Sequence, residues 1–406
     1  MNVILGVGGG IAAYKAAELA RALMERGLAV QVVMTRGAQE FVRPLTFAAL
    51  TNHKVITDLF GSRTSEETLS SAVEHIRVAQ ENQLLVVAPA TADLLAKFAA
   101  GIADEFLTTL YLAFQGKVIL APAMNTAMWD HPATRDNLET LRKRGHVIVD
   151  PEAGLLACGT TGPGRLSEPE HIADVVAHHA STRHDLDGET VLLTAGPTQE
   201  PLDPVRYISN RSSGKMGYAL AEAAAARGAR VILVSGPVNL SEPYGVKLER
   251  VRTAREMRLA VMDHLAESTI IVKAAAVADY HVTDVPQQKL KKTPVRMTLD
   301  LDPTPDILAE VGRDKGDRLL IGFAAETENL VAEARRKMES KNCDMVVGNL
   351  VSPELTGVGF ESDDNEVVLV LRTNDCIQVP RAPKRAVADR IFDEALKLRL
   401  TLHAAE

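Results

Sequence analysis

The sequence predicts an α/β protein made of two three-layer, mostly parallel-sheet nucleotide-binding domains. Three observations predict it. Short apolar runs, long enough for buried strands and too short for full helices, recur between alanine-rich stretches. A strand, a glycine turn, an alanine-rich helix and a second strand open the chain, and the same order restarts near residue 191. The length of 406 residues exceeds one ordinary core.

Taken in order, Asn2–Gly6 reads as the first strand, followed by Gly8-Gly9-Gly10 and a helix from Ile11 to Arg26. Gly27 stops that helix, and Val30–Met34 completes a βαβ unit. Leu84–Ala88, Val118–Ala121 and His146–Val149 read as further parallel strands, giving a first domain over residues 1–180. The polar stretch 181–188 reads as a linker, and the second domain takes 189–406. There Val191–Ala195 is a strand, Gly214 to Arg227 holds a helix closed by Gly228, and Val231–Ser235, Thr269–Lys273 and Leu319–Phe323 are strands. Asp344–Gly348 and Glu366–Arg372 follow, the latter paired with Cys376–Val379. Arg26-Gly27-Leu28-Ala29-Val30 and Arg227-Gly228-Ala229-Arg230-Val231 repeat one helix–turn–strand device.

Composition narrows the function. Lys plus Arg number 45 against 53 Asp plus Glu, a net charge of -8, which disfavours bulk nucleic-acid binding. No apolar run reaches the length of a membrane span, and Met1 to Gly6 lead straight into a strand with no leader pattern. Cys158, Cys343 and Cys376 are odd in number and widely spaced, as expected of a reducing cytoplasm.

Ligands in open α/β sheets bind outside the carboxyl ends of strands. Pro122 to Trp129 follows one such strand with an amide, two thioethers and the only tryptophan. It suits a flat, partly apolar cofactor, or else a Met/Trp core plug. Gly8-x-Gly10-x-x-Ala13 fits a dinucleotide fingerprint, and equally a tight strand–helix packing turn. The second strand ends Met34-Thr35-Arg36 without the acid that NAD requires. NADP, with Arg36 on a 2′-phosphate, and a mononucleotide such as FMN both remain open. Ser212-Ser213-Gly214-Lys215-Met216-Gly217 lacks the earlier glycine and the following Ser/Thr of a P-loop, and reads as an anion-binding turn before a helix.

Taken together the motifs resemble the bifunctional phosphopantothenoylcysteine decarboxylase/phosphopantothenate–cysteine ligase family of bacterial coenzyme A synthesis. In the first half the resemblance rests on Gly9 to Lys15, His75, Ala88 to Ala92, Pro122 to Trp129, Ala157-Cys158-Gly159 and Gly162 to Arg165. In the second it rests on Thr194 to Thr198, Ile208 to Asn210, Ser212 to Gly217, Lys273 to Tyr280, and Lys289 to Lys292. It covers nearly the whole chain.

For the first half the resemblance implies FMN, held by Gly9, Gly10, Ile11, Thr35, Thr91 and Met124. FMN accepts and returns a hydride, so that a cysteine CH₂–SH becomes a thioaldehyde and decarboxylation gains an electron sink. The resemblance makes His75 the acid/base, Asn125 the substrate-binding amide and Cys158 the proton donor on a glycine-rich flap. Read without the resemblance, these are a capping histidine and a small apolar cysteine. Relatives usually carry a hydroxyl residue where Gly8 stands, so FMN is expected to bind, with one hydrogen bond fewer.

For the second half the resemblance implies a CTP-dependent ligase that joins phosphopantothenate to cysteine through an acyl-cytidylate, with Mg²⁺ and lysines balancing the triphosphate. Lys289 is expected to serve cytidylate formation, and Asn210 and Arg206 to hold phosphopantothenate and its acyl intermediate. Ala274, Ala275, Asp279, Pro305, Asp306, Ile307, Leu308, Phe323, Lys337 and Lys341 match CTP positions, with Asp279 a metal contact as well. Lys337 and Lys341, four apart, share a helix face. The resemblance also implies a homo-oligomer with flavin sites between subunits. Two rivals remain: an NADP-dependent reductase fused to a kinase-like domain, and a non-catalytic nucleotide sensor.

Overall fold

The computed structural model describes residues 1–59, 74–157, 159–290, 298–326, 328–350 and 362–403. Cys158, Lys291 and Lys292 lie outside the described residues. The chain forms two compact units, Met1–Ser181 and Thr182–Glu406.

The first unit is a five-stranded parallel sheet of order β2-β1-β3-β4-β5. Its strands are β1 (Asn2–Val7), β2 (Ala29–Met34), β3 (Leu84–Ala90), β4 (Lys117–Pro122) and β5 (Val147–Ile148). Helices cover both faces, which is why β3 is buried at every residue and reads as a continuous apolar run. The helix expected from Ile11 opens instead as a 3₁₀ turn, Ile11–Tyr14, before the α-helix Lys15–Glu25. A hairpin that the apolar pattern did not reveal, β6 (Glu152–Leu155) with β7 (Thr161–Arg165), follows the sheet. Its glycines and alternating exposure leave no apolar run to detect.

In the second unit the main sheet has eight strands. They are β8 (Thr190–Ala195), β11 (Arg230–Ser235), β12 (Val246–Arg250), β13 (Ile270–Lys273), β16 (Leu319–Glu326), β17 (Met345–Leu350), β18 (Asp364–Leu371) and β19 (Cys376–Pro383). Their order is β12-β11-β8-β13-β16-β17-β18-β19. The first six are parallel and the last two antiparallel. Small hairpins add β9 (Gln199–Pro201) with β10 (Tyr207–Ser209), and β14 (Tyr280–Val282) with β15 (Leu301–Pro303). Helices Lys215–Ala226 and Lys384–His403 pack on one face, while Ala254–Leu265, Ile307–Asp314 and Leu330–Ser340 pack on the other. β12 escaped the sequence reading because an edge strand carries Lys247, Glu249 and Arg250 among few apolar residues.

The repeated Arg-Gly device has a structural reason in each unit. Gly27 and Gly228 take left-handed φ values of 77° and 92° to end their helices. The preceding arginine reaches the last helix of its own unit. Arg26 Nε and Nη2 donate to Asp174 at 3.0 and 2.6 Å, on helix Pro169–Ala180. Arg227, only 1% exposed, donates to Asp185 at 2.8 and 2.7 Å and pairs with Asp393 at 3.0 Å. Its guanidinium also lies 5.8 Å from the Phe392 ring centroid. Residues 185–188, read as linker, form a turn packed into the second unit, with Leu186 fully buried.

Removing Arg227 leaves Asp185 and Asp393 with only Arg183 between them and opens a hole in the packing. Arg227→Ala is expected to destabilise the second unit by about 3 kcal/mol, whereas Arg26→Ala, at a more exposed site, costs the first unit about 1 kcal/mol. Amide hydrogen exchange across residues 384–403 and 169–180 measures both. Equal effects would contradict the difference in burial.

Candidate functional site

In the first unit the carboxyl ends of β1, β2, β3 and β4 carry the expected cofactor residues. Contacts without side chains shape the turn after β1. The Gly8 amide donates to Pro89 O at 3.1 Å, and a Cβ on Gly8 would lie 2.3 Å from that oxygen. A Cβ on Gly9 would lie 2.6 Å from the Gly37 carbonyl carbon, while Gly10 faces open space. The absence of a hydroxyl residue at position 8 is thus a packing requirement of this backbone. Thr35 caps helix Arg36–Gln39 by accepting from the Ala38 amide, and Thr91 caps Ala92–Ala100 by accepting from Leu94. Exposed Ile11 opens the 3₁₀ turn. Glycine cradle, paired caps and open Gly10 fit a flavin phosphate group. Arg36, the candidate 2′-phosphate ligand, pairs with Asp58 at 3.5 Å. The half-buried Glu105 carboxyl, not singled out from sequence, is raised by burial and accepts the Arg36 amide.

The Pro122 to Trp129 segment divides its roles. Met124 and Trp129 rest against the core, whereas Met128 is exposed. Asn125 caps helix Thr126–Asp130, its side chain accepting from Ala127 at 2.8 Å. The Met124 amide donates to Gly164 O at 2.9 Å, so β7 lies directly against this segment. The tip joining β6 to β7 is where Cys158 falls in sequence. His75, on helix Glu74–Glu81, is half-buried and edge-on to Phe106, with ring centroids 6.5 Å apart. Its buried Nδ1 has no partner among the described residues.

In the second unit a cleft of about 460 Å³ opens at the carboxyl ends of β13, β16 and β17. It brings together Asn210, Ala274, Ala275, Phe323 and Lys337 with the Ser212–Gly217 turn. The turn works as expected of a strand-to-helix junction: Gly214, at φ 78°, precedes helix Lys215–Ala226. Asn210 Nδ2 donates to Val277 O at 3.0 Å. Lys337 Nζ donates to Phe323 O at 2.6 Å, and burial holds its amine below the ordinary lysine range.

Sequence reasoning missed three residues of this cleft. Burial, then the neighbouring Lys215 charge, pushes Lys384 down to about 8. Asn349 and Asn365 each bury an amide oxygen without a partner among the described residues. Their sequence signal, single amides near strand ends, is too common to notice.

The other expected residues stand outside this lining. Arg206 was expected on a phosphate, but its Nε and Nη2 donate to Asp203 at 3.0 and 2.6 Å, and Nη2 also reaches Leu290 O at 3.0 Å. Asp203, pulled down strongly by Arg206, also accepts the Leu290 amide at 3.1 Å. Arg206 and Asp203 therefore fix the loop at Leu290, next to Lys289, which is itself exposed. Lys341 lies one turn beyond Lys337, its amide donating to Lys337 O at 3.0 Å. It is the cap residue after Leu330–Ser340 and pairs with Asp306 at 2.6 Å. Burial works to raise Asp306, but Lys341 and the Ala309 amide outweigh it and hold the carboxyl low. Pro305 and Asp306 lead into helix Ile307–Asp314, whose Ile307 is buried and Leu308 packs on the core. Asp279 is exposed, and the described residues hold no cluster of three His, Cys, Asp or Glu suited to a metal.

Lys273 ends β13, 7% exposed, with its amine buried and unpartnered among the described residues. It shares the face of Ile271, on the side covered by helices Ala254–Leu265 and Ile307–Asp314. Burial alone pushes it down to about 7.

The family described as Flavoprotein matches residues 1–181, and that described as DNA/pantothenate metabolism flavoprotein C-terminal domain matches 186–398. The "Coenzyme A biosynthesis bifunctional protein CoaBC" of Bacillus subtilis (strain 168) is 45% identical over 400 residues, covering 98% of this chain and 97% of its own. Its namesake from Escherichia coli (strain K12) is 43% identical over 397 residues, covering 97% and 96%. Among solved structures, the C-terminal domain of a CoaBC protein is 38% identical, with a TM-score of 0.46, covering 54% of this chain and 99% of its own. The FMN-dependent cysteine decarboxylase SpaF is 31% identical, with a TM-score of 0.38, covering 44% and 97%.

Two outcomes follow from these contacts. Gly8→Ser adds a hydroxyl, yet drives a Cβ into Pro89 O. It should cost flavin binding about 1–3 kcal/mol, read as loss of the bound flavin spectrum; tighter binding would contradict the crowding. Lys273 has its ordinary value of 10.5 in the unfolded chain and about 7 in the fold, so the unfolded chain binds the extra proton between those values. Stability therefore rises with pH through that window. Lys273→Met should stabilise the second unit at pH 7 by up to about 4 kcal/mol, the gain fading towards pH 10.5. Urea unfolding at both pH values measures it.

Proposed function

This chain belongs to the family of bifunctional coenzyme A biosynthesis proteins, and from that premise we propose how its two units divide the chemistry. The protein is a phosphopantothenate–cysteine ligase and an FMN-dependent phosphopantothenoylcysteine decarboxylase. Residues 1–180 decarboxylate, 181–188 connect, and 189–406 ligate. The observation that carries the ligase half is the lysine-lined cleft at the strand ends with its unpartnered buried amide oxygens.

In that cleft phosphopantothenate and CTP meet. The substrate carboxylate attacks the α-phosphorus of CTP, pyrophosphate leaves, and an acyl-cytidylate results. The amine of cysteine then attacks the acyl carbon and CMP departs. Lys337 offers its ammonium to the triphosphate from a fixed place beside Phe323 O. Ala274 and Ala275 let the nucleotide approach the backbone, and Phe323 closes one wall. Pro305, Asp306, Ile307, Leu308 and Lys341 form the neighbouring nucleotide contacts. Lys289 reaches in from the loop that Arg206 holds, to stabilise charge during cytidylate formation. Asn210 orients the acyl group, and Arg206 can turn from Asp203 to the substrate phosphate. Mg²⁺ is carried mainly by the triphosphate, with Asp279 as the protein contact.

In the first unit Gly9, Gly10, Ile11, Thr35, Thr91 and Met124 hold FMN, which supplies the hydride acceptor that turns the cysteine CH₂–SH into a thioaldehyde. His75 takes and returns the proton, its buried Nδ1 being open to a ligand. Asn125 binds the substrate from the end of β4, and Cys158, at the β6–β7 tip, protonates the product ene-thiol. Ile11, Tyr14, Phe41 and Leu45 are large apolar residues left exposed. They support a homo-oligomer whose flavin sites form between subunits. No described helix is long and apolar enough to cross a membrane. The proposed location is the cytoplasm, in keeping with the free thiols of Cys343 and Cys376.

Incubation with phosphopantothenate, cysteine, CTP and Mg²⁺ should yield phosphopantetheine and CMP by mass spectrometry. Absence of CMP with unreacted phosphopantothenate would remove the CTP reading. Lys337→Ala should weaken nucleotide binding by about 1.5–3 kcal/mol, the value of one charged contact, with KM for CTP as the readout.

A further inference from the structure

The first unit has a second concave site, at the opposite end of its sheet from the glycine turn. A cleft of about 680 Å³ lies beside the start of β4, walled by Tyr111, Phe114, Gln115, Lys117, Arg144 and His146. No acidic side chain lines it. In a chain of net charge -8 this is a local concentration of positive groups.

Each positive group is held in place or left unspent. Arg144 Nη1 and Nη2 donate to Phe98 O and Ala99 O at 2.8 and 2.7 Å, which fixes the guanidinium at the mouth. Tyr111 Oη lies 2.7 Å from His146 Nε2, which fixes that ring. Lys117 is exposed and forms no ion pair among the described residues. Burial, then Arg144 and Lys117, hold His146 below its ordinary value. The Lys117 charge also acts, after burial and His178, on His179, which falls to about 4. Two histidines, His146 and His179, thus feel the positive charge of one lysine. The floor is apolar: Tyr111 lies against Phe98 with ring centroids 4.3 Å apart, and Phe114 adds an edge.

We propose that this cleft binds a phosphate monoester carrying a ring or short apolar arm. The dianion would take the Lys117 ammonium and the field of Arg144, and the arm would lie on the Tyr111–Phe114 floor. The site is separate from both proposed catalytic sites. The ester could be one of the protein's own phosphorylated substrates or products, or an unrelated metabolite.

The test uses the full chain and phenyl phosphate as probe, followed by calorimetric titration. Wild-type protein should bind it, and Lys117→Glu should weaken binding about tenfold or more, the size of a lost charged contact. Lys117→Gln should fall between. Lys337→Ala, in the ligase cleft, should leave binding unchanged. Inorganic sulfate should bind more weakly than the ester because it lacks the arm. Unchanged binding in Lys117→Glu, loss in Lys337→Ala, or sulfate binding as tight as the ester would each overturn the proposal. Phosphopantothenate and CMP, titrated into wild type and Lys117→Glu, separate the two sources: a Lys117-dependent binding event for either that is tighter than phenyl phosphate assigns the site to the protein's own reaction, and none for either assigns it to another metabolite.

Discussion

Both units depend on backbone meeting backbone at the carboxyl ends of their strands. Where a chain turns from strand to helix beside another strand end, no Cβ can be accommodated. In the first unit Gly8 lies against Pro89 O and Gly9 against Gly37. In the second, a Cβ on Gly217 would lie 2.5 Å from Ala195 Cβ, and one on Gly236 would lie 1.9 Å from Pro197 O. These approaches set how closely the first helix of each unit sits over its sheet. They also decide where free amide groups and capping hydroxyls face outward. The cofactor cradle and the ligase cleft are both built on that crowding.

Within the second unit, electrostatics complete what packing begins. Lys337 and Lys384 are both held below the ordinary lysine range by burial, and both line the cleft with Lys215. Lys337 donates to Phe323 O, Lys384 to Ser362 O and Lys215 to Asp363, and desolvated amines so placed still gain from a nearby anion. The buried oxygens of Asn349 and Asn365 make the matching demand for a donor. An anion that also carries hydrogen-bond donors would answer both demands at once.

How much of this was legible depended on the type of signal. Buried parallel strands such as β3 and β13 write themselves as apolar runs, and their helices as alanine-rich segments closed by glycine. The βαβ openings of both units could be read directly. Edge and hairpin strands could not, because β12, β6 and β7 bury half a face or less. Helix Lys384–His403 was readable in principle, since Val387, Ile391, Ala395 and Leu398 keep a helical spacing. Site residues split in the same way. Gly9, Thr35, Thr91 and Asn125 act through local turns and caps, which sequence encodes nearby. Lys273, Asn349 and Glu105 owe their character to burial by distant segments, which no local pattern reports. Arg206 and Lys341 show the converse: residue type alone did not report the ion pairs they make, with Asp203 three residues away and with Asp306 brought near by tertiary placement.

The hairpin of β6 and β7 acts as a ruler. Its base is clamped where the Gly164 carbonyl takes the Met124 amide and where Gly162 slots beside Thr126, so neither arm can slide. Arm length then sets how far the hairpin reaches beyond that clamp. One inserted residue in an arm would turn its side chains to the other face, whereas a matched pair would preserve facing and lengthen the reach by about 7 Å. The reach of this hairpin can therefore change only in paired steps, with the clamp at Gly164 left untouched.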